Sequence, residues 1–428
     1  MKKIFATFAF ATLLASSARA NSRLPETNQL VSAPDDPSTL LLRTTFGYLF
    51  THDAGKNWDW LCESAIPEQG QQDPAVALLA GGVVVSAQVV EGLAVSPDRG
   101  CSWSFASKMP AIDVARSPDG ATAIALTSVY AFTDGGTIFN TTQMLETTDA
   151  GKNWAPLSGA IDPTLVIDTI DLAPSNPARM YVTGHVYQVP NGTMLVSSDG
   201  GQSWVSRSIP FVAGEASAYI AAVDPNNPDL VYARTLGTTS KTAEQFSRLL
   251  VTKDAGQTWN EAWNGDKLLG FALSADGSRV YVGTALAGLL AANASDLVFT
   301  QKSPLQIQCL ATVGATLYAC GNEGNSGWVL ASTTDEGATF MPLLKLETIR
   351  GPLACAAGTS GAECVNEWPA LADQLGIDAG TSPAPDAGGP SAGCGCESSS
   401  PTPLDLVVLG ALIALGLTLR SRLFRAAR

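Results

Sequence analysis

The chain has 428 residues, with 25 Lys and Arg against 39 Asp and Glu, a formal net charge of −14 and only two histidines. That balance excludes a nucleic-acid binder, which needs basic patches, and argues against docking on anionic lipid; the charge is read as serving solubility. The two histidines, His52 and His185, and the lack of any CxxC pair leave no ligand set for zinc, so no metal and no cofactor is expected.

The N-terminus reads as a secretory signal, residues 1–20. Lys2 and Lys3 precede a short apolar stretch from Ile4 to Leu14, and Ala18-Arg19-Ala20 is an A-x-A cleavage site with Ala20 as the last residue removed. The apolar stretch is too short for a membrane anchor, which needs about 20 residues.

An octapeptide then recurs along the chain: Thr51–Trp58 (THDAGKNW), Ser96–Trp103 (SPDRGCSW), Thr147–Trp154 (TTDAGKNW), Ser197–Trp204 (SSDGGQSW), Thr252–Trp259 (TKDAGQTW) and Thr333–Phe340 (TTDEGATF). The template is [ST]-x-D-x-G-x-[STN]-[WF]. Its aspartates are Asp53, Asp98, Asp149, Asp199, Asp254 and Asp335; its glycines are Gly55, Gly100, Gly151, Gly201, Gly256 and Gly337; its aromatics are Trp58, Trp103, Trp154, Trp204, Trp259 and Phe340. Each box is expected to form a turn between two strands. The carboxylate accepts backbone N–H groups of its own turn, the glycine supplies a φ other residues resist, and the aromatic opens the next strand and packs between neighbouring sheets.

The box aspartates lie 45, 51, 50, 55 and 81 residues apart. The last gap holds two units of about 40 residues, the size of a four-stranded blade, and Asn293–Phe299 is a decayed box inside it that keeps Asp296 and the aromatic but lacks the glycine. Apolar runs split by Pro/Asn turns, such as Ile170–Ala173 and Met180–Val182 around Pro174–Pro177, precede the boxes and read as hairpins. The fold class is therefore all-β: a seven-bladed β-propeller of four-stranded antiparallel blades over residues 29–346.

The octapeptides resemble the Asp-box, or BNR repeat, of sialidases, sortilin-type receptor propellers, xyloglucan-cleaving glycoside hydrolases and a photosystem II assembly-factor family. The resemblance covers the propeller and implies a fold more than an activity, because these families share the boxes and little chemistry.

Turns between second and third strands lie on the face opposite the boxes. Three are long and consecutive: Phe132–Gln143, His185–Thr193 and Thr235–Arg248, in blades three to five. They are expected to bring Phe132, Asp134, Phe139, Tyr187, Lys241, Glu244 and Phe246 to one sector, a candidate surface for a glycan or protein ligand.

Six cysteines lie outside the tail. Cys309 and Cys320 stand symmetrically about a turn near Gly314 and Ala315, Cys355 and Cys364 bracket a small loop, and Cys62 and Cys101 remain to tie blade one to blade two. Spacing alone does not prove these pairings. Residues 347–378 form a Cys-stapled extension. Residues 379–403, rich in Ala, Gly, Ser and Pro, read as a disordered linker interrupted by Cys394-Gly395-Cys396. Residues 404–428 combine an apolar run to Leu419 with Arg420, Arg422, Arg425 and Arg428.

Linker, Cys-Gly-Cys, apolar helix and Arg cluster together resemble the MYXO-CTERM sorting tail of myxobacterial surface proteins. That resemblance implies a transient membrane anchor, a sorting protease that trims near Cys394 and Cys396, and lipid-held display at the cell surface; a permanent single-pass anchor is the alternative. Without signal and tail the body carries 18 positive and 37 negative groups, a net −19.

The expected function is that of an exported, surface-anchored, monomeric propeller that binds or displays without catalysis. The body has ten arginines and no Arg-Ile-Pro, so the sialidase constellation is missing, and neither histidine stands near a nucleophile. No catalytic residue is assigned. A glycoside hydrolase and an assembly factor for a membrane complex are the alternatives.

Overall fold

A computed structural model describes residues 25–68, 72–132, 138–186, 189, 191–239 and 244–377. The signal with Ala20, the linker with Cys394 and Cys396, and the tail lie outside them. Among the described residues no helix is long and apolar enough to cross a membrane.

Seven antiparallel sheets form the ring. Blade one contains β1 (Thr27–Ser32), β2 (Leu40–Thr44), β3 (Gly47–Thr51) and β4 (Trp58–Leu61). Blade two contains β5 (Ala75–Leu78), β6 (Val84–Gln88), β7 (Gly92–Ser96) and β8 (Ser104–Ser107). Blade three has β9 (Ala111–Arg116), β10 (Ala123–Phe132), β11 (Ile138–Thr147) and β12 (Ala155–Pro156); blade four has β13 (Leu165–Ala173), β14 (Asn176–Val186), β15 (Gly192–Ser197) and β16 (Val205–Ile209). Blade five has β17 (Glu215–Val223), β18 (Val231–Thr238), β19 (Gln245–Thr252) and β20 (Asn260–Asp266); blade six has β21 (Leu268–Leu273), β22 (Arg279–Thr284), β23 (Leu289–Asn293) and β24 (Thr300–Ser303). Blade seven closes the ring with β25 (Cys309–Val313), β26 (Thr316–Cys320), β27 (Leu330–Thr333) and β28 (Met341–Leu344). The decayed box falls on the β23–β24 turn, where Leu297 takes the left-handed backbone at φ 53°.

First strands of successive blades pack side by side, and β25 meets β1. Alternating strand direction puts the box turns on one face and the second-to-third-strand turns on the other. The apolar core lies between blades, not within one. Ala77, Val85 and Leu93 of blade two pack with Ala111, Ala123 and Leu145 of blade three; Leu126 and Met144 of blade three pack with Leu165, Ile167 and Met180 of blade four. Flat faces with small and branched residues suit this stacking of twisted sheets.

Side chains also bridge inner strands directly. Gln29 of β1 exchanges two bonds with the Val76 backbone of β5, at 3.0 and 3.1 Å. Asp113 of β9 accepts the Ile170 N–H of β13, and Thr169 of β13 accepts the Ile220 N–H of β17, both at 3.0 Å. The latter two sit at bulges, where β13 slips register between Ile167 and Thr169 and β17 between Ile220 and Ala222.

After blade seven the chain returns to blade one. β29 (Ile349–Pro352) pairs parallel to β4 as a fifth strand, and α2 (Cys364–Leu375) follows, with the short α1 (Glu323–Ser326) lying earlier in blade seven. Arg350 grips Asp59 through Nε and Nη2 at 3.0 and 2.6 Å, and the Trp368 ring lies 5.8 Å from Trp60. Cys309 and Cys320 are bonded across the β25–β26 pair.

The other two expected disulfides are wrong. Cys62 bonds Cys364 and Cys101 bonds Cys355, at sequence separations of 302 and 254. Neither Cys355–Cys364 nor Cys62–Cys101 forms. Spacing favoured near neighbours; the parallel addition of β29 instead lays the extension across blades one and two, so each of its cysteines meets a different blade.

Candidate functional site

The two faces of the ring are built differently. On the box face, the first, third, fifth and seventh letters of the template are bonded to one another. In the third box the Thr147 hydroxyl donates to Asp149 Oδ1 at 2.9 Å and accepts the Gly151 N–H at 2.9 Å. The seventh residue, Asn153, donates its backbone N–H to Asp149 Oδ1 at 2.9 Å and its side chain to Oδ2 at 2.7 Å. The same four bonds recur in the other boxes, for example with Ser197, Gly201 and Ser203 around Asp199. The fourth residue shares the left-handed backbone with the glycine even where it is Ala54, Arg99, Ala150, Ala255 or Glu336. Sequence reasoning found the carboxylate and glycine; it missed that positions one and seven exist to saturate the carboxylate.

Those bonds hold Asp149, Asp199, Asp254 and Asp335 at a pKa of about 2, chiefly through the seventh side chain, then its N–H and the first hydroxyl. Burial opposes the effect at Asp53, which still falls to about 2, and at Asp98, which is also lowered. An ionised carboxylate with its acceptor sites filled is a poor general acid and has little left for a ligand.

Each box sits on the blade before it. Gly151 lies against Leu79, Val83 and Val95 of blade two, and Gly100 against Leu61 and Phe50 of blade one. The aromatics pack on the interblade clusters, but Trp58 alone among them is fully buried, at 1% exposure. Trp103, Trp154, Trp204, Trp259 and Phe340 are half-buried, because the outer strand they begin leaves one ring edge in solvent. Trp58 is covered because blade one alone carries a fifth strand.

The opposite face carries the tall hairpins. β10 and β11 pair from Ala123–Thr147 out to Phe132–Ile138, β14 and β15 from Met180–Ser197 to His185–Gly192, and β18 and β19 from Val231–Thr252 to Thr238–Gln245. The expected long loops are thus largely ladder: the segments Phe132–Gln143 and Thr235–Arg248 are mostly strand, since their β-branched and aromatic residues extend the pairing. Phe132 and Phe139 stand on these strands; Asp134, Tyr187 and Lys241 lie outside the described residues. Glu244 is exposed. Phe246 is not a free ligand aromatic: its ring covers Gly237 directly across the ladder. This face also exposes Val89, Val90, Val129, Tyr130, Val212 and Leu286, while Val205, Val298 and Met341 are exposed at the box end.

Ionic groups missed in the sequence stiffen this sector. Glu215, at 0% side-chain exposure, takes two bonds from Arg248 at 2.7 and 2.6 Å and one from Thr235, while Arg248 also reaches Glu261 and the Pro210 carbonyl. Burial works to raise the Glu215 pKa, and the Arg248 bonds overcome it and hold the group low. Arg43 binds Asn28 and the Asp73 and Pro74 carbonyls, so it ties blade one to blade two.

The inner strands of blades three and four carry Asp113, Asp168 and Asp171. Burial pushes Asp113 up to about 6, and burial with the nearby Asp113 charge pushes Asp171 up to about 7. Each accepts a backbone N–H, Asp113 from Val114 and Ile170, Asp171 from Leu172. His185 is not incidental: its Nδ1 lies 3.1 Å from Asp168 Oδ2. His52 is exposed on its box turn and bonds Thr39. Among the described residues no group of three or more His, Cys, Asp or Glu could hold a metal.

Comparison with known proteins agrees with this architecture. Residues 142–302 match the family model described as Sortilin-Vps10 (sortilin, neurotensin receptor 3). No curated protein matches the chain. An ancestral GH74 enzyme aligns with a TM-score of 0.53 at 11% identity over 74% of this chain, which spans 46% of that enzyme. Hydrazine synthase of Kuenenia stuttgartiensis aligns with a TM-score of 0.51 at 14% identity, over 74% of this chain and 98% of that one. YCF48 bound to D1 peptide aligns at 0.46 and 13% identity, over 72% and 91%. At these identities what is shared is the fold: the chain is a seven-bladed β-propeller, related in architecture to sortilin-type and GH74 propellers.

Proposed function

We propose that this is an exported propeller, held at the cell surface through its C-terminal tail, that binds or displays without catalysis, and that blades three to five supply the contact surface. The observation that carries the reading is the unequal height of the ring. Counted from the residue opposite the first box position, the second strands of blades three to five run Ala123–Phe132, Met180–Val186 and Val231–Thr238, against Leu40–Thr44, Val84–Gln88 and Leu317–Cys320 in blades one, two and seven. Closing a blade needs the shorter length; the excess projects as stiff hairpins from one sector, braced by the Glu215–Arg248 pair. Rigid, projecting aromatic and apolar groups suit recognition of a glycan or protein. The signal pattern, the three disulfides and the sorting-type tail support export.

The test is a glycan and surface-protein screen with the full chain, followed by variants trimmed at 133–137 and 240–243. Loss of the ligand on trimming supports the reading; unchanged affinity with both trimmed removes it. Intact mass of the surface-extracted protein checks the tail: a C-terminus ending near Cys394 and Cys396 is expected, and one ending at Arg428 means a permanent anchor.

One observation favours a hydrolase as second reading. Asp113 and Asp171 are neighbouring carboxylates with raised pKa, and the general acid of a glycosidase pair is raised in the same sense. Both are occupied by backbone N–H groups, which favours a structural role. Reducing-sugar release that disappears in Asp171→Asn would establish the second reading.

A further inference from the structure

The C-terminal extension is joined to the ring at two covalent points, and both lie in well-bonded structure. Cys101 is the sixth residue of the second box. In that turn Ser96 Oγ accepts the Gly100 N–H at 2.7 Å, and the Asp98 carboxylate accepts the Ser102 N–H and hydroxyl at 2.8 and 2.6 Å. The sixth position of the other boxes holds Lys56, Lys152, Gln202, Gln257 or Ala338, so the second box alone doubles as an attachment point. Cys62 directly follows β4, which is flanked by β3 on one side and β29 on the other.

Further bonds surround both joints. Cys62 donates its N–H to Cys364 Sγ at 2.9 Å, and Gly361 donates its N–H to the Cys101 carbonyl at 2.9 Å. The Ser360 hydroxyl reaches the Ala65 and Cys101 carbonyls at 2.9 and 3.2 Å. Gly361 comes so close that a Cβ there would stand 2.6 Å from Cys355 Sγ and 3.0 Å from Cys101 Cα. The segment from Cys355 to Cys364 is thus clamped to blades one and two at once.

The rest of the extension is held more lightly. β29 has two ladder partners, Ile349 with Trp58 and Pro352 with Trp60. Beyond Cys364, α2 rests the half-buried Trp368, Leu371 and Leu375 on the blade-one cluster. Each such contact is weak by itself, and a chain drawn from its end breaks them one after another. A covalent bond does not yield in that way. The near-neighbour pairing, Cys355 with Cys364 and Cys62 with Cys101, would have left the whole extension attached by the weak contacts alone.

We propose that the extension is a force coupling: pull arriving from the tail passes through Cys364–Cys62 and Cys355–Cys101 into blades one and two, and bypasses β29 and blade seven. The proposal rests on the reading of the tail as the tether and adds what the crossed disulfides do for it. The pull then reaches blade three, the first of the tall blades, from its neighbour blade two. Blades four to seven lie outside that covalent path, so a ligand held by the tall face does not drag the ring open at the seam between blades seven and one.

The experiment draws the full chain in optical tweezers between a peptide tag in the 379–403 linker and a second tag in place of 133–137. In the oxidised chain the first step should free only residues 365–377, about 45 Å of chain at roughly 3.5 Å per residue. With Cys62→Ser, Cys101→Ser, Cys355→Ser and Cys364→Ser combined, the first steps should free residues 345–377, about 115 Å, and blade seven should then unravel at a lower force. Reduction of the folded wild type in the trap should reproduce the variant, which covers the case in which the variant does not fold. Cys309→Ser with Cys320→Ser should leave the oxidised trace unchanged, since that bond lies inside one hairpin of blade seven. Loss of blade seven before α2 in the oxidised chain overturns the proposal. The two readings fail separately. Identical traces before and after reduction remove the coupling and leave the tether. A surface form whose C-terminus carries no anchor removes the tether, and with it the source of the pull, while the traces still differ.

Discussion

The clasped side of the ring and the tall side solve opposite problems with the same blade. Blades seven, one and two are short; β29 adds to the outer edge of blade one, and two long-range disulfides tie the extension to blades one and two. Among the described residues nothing is added to the outer strands of blades three to five, and their extra residues go into hairpins. A propeller must stop its first and last blades from parting, so cross-links gather where the chain ends meet. Blades in mid-sequence are held by both neighbours, and their freedom to lengthen without opening the ring is what makes them suited to contact.

The largest expected effect breaks the clasped side at its centre. Trp58→Ala should cost roughly 3–5 kcal/mol, since the ring is fully buried, whereas Trp154→Ala should cost roughly half as much because its edge is already wet. Equal losses in urea unfolding would mean that the fifth strand adds nothing to the burial of Trp58.

Next come the cross-links. Replacing Cys62 and Cys364 together by Ser should cost about 2–4 kcal/mol, the long loop favouring the upper part of that range. The Cys309–Cys320 bond closes a far shorter loop, and its removal should cost less. Calorimetric unfolding of the two double variants checks the order, and non-reducing peptide mapping checks the crossed pairing.

A smaller effect separates the faces by pH. The box carboxylates have folded pKa values near 2, below the ordinary 3.8, so their stabilisation is complete above about pH 5 and is lost as pH falls towards 2. Asp113 and Asp171 are shifted the other way, to about 6 and 7, so the folded state holds protons that the unfolded state has released. Stability therefore falls as pH rises from about 4 to 7. Asp113→Asn keeps an acceptor for the Ile170 N–H and should stabilise by roughly 1–3 kcal/mol at pH 7 and not at pH 4. Urea midpoints across that range decide it; a wild-type profile flat between pH 4 and 7 would refute the assigned shifts.

The smallest expected effect is on the tall side. Trimming 133–137 or 240–243 should change stability by no more than about 0.5 kcal/mol, because the described ladders, out to Phe132–Ile138 and Thr238–Gln245, are left intact. A large loss would show that the hairpins support the ring and weaken the case for contact.

The sequence read the ring well because its signal is local and repeated. Asp149, Gly151 and Trp154 lie within one turn, and the physics that selects them acts within that turn. Spacing placed the weak box at Asp296 by arithmetic alone. The candidate site was less legible. Asp168 and His185 are 17 residues apart and meet because a bulge rotates one of them; nothing in the local pattern marks a bulge. Phe246 looked like a recognition aromatic, and its cover of Gly237 required knowing the cross-strand register.

What the sequence determined by itself was therefore the blade, its count and its turn chemistry, together with the Cys309–Cys320 bond inside one hairpin. Tertiary structure alone decided which cysteines of the extension meet which blade, which box aromatic is fully buried, and which side chains bridge the inner strands of neighbouring blades. Local hydrogen bonding and periodicity are written in neighbouring residues. Contacts between residues separated by about 300 positions depend on the closing geometry of the whole ring, where a single added parallel strand redirects two disulfides.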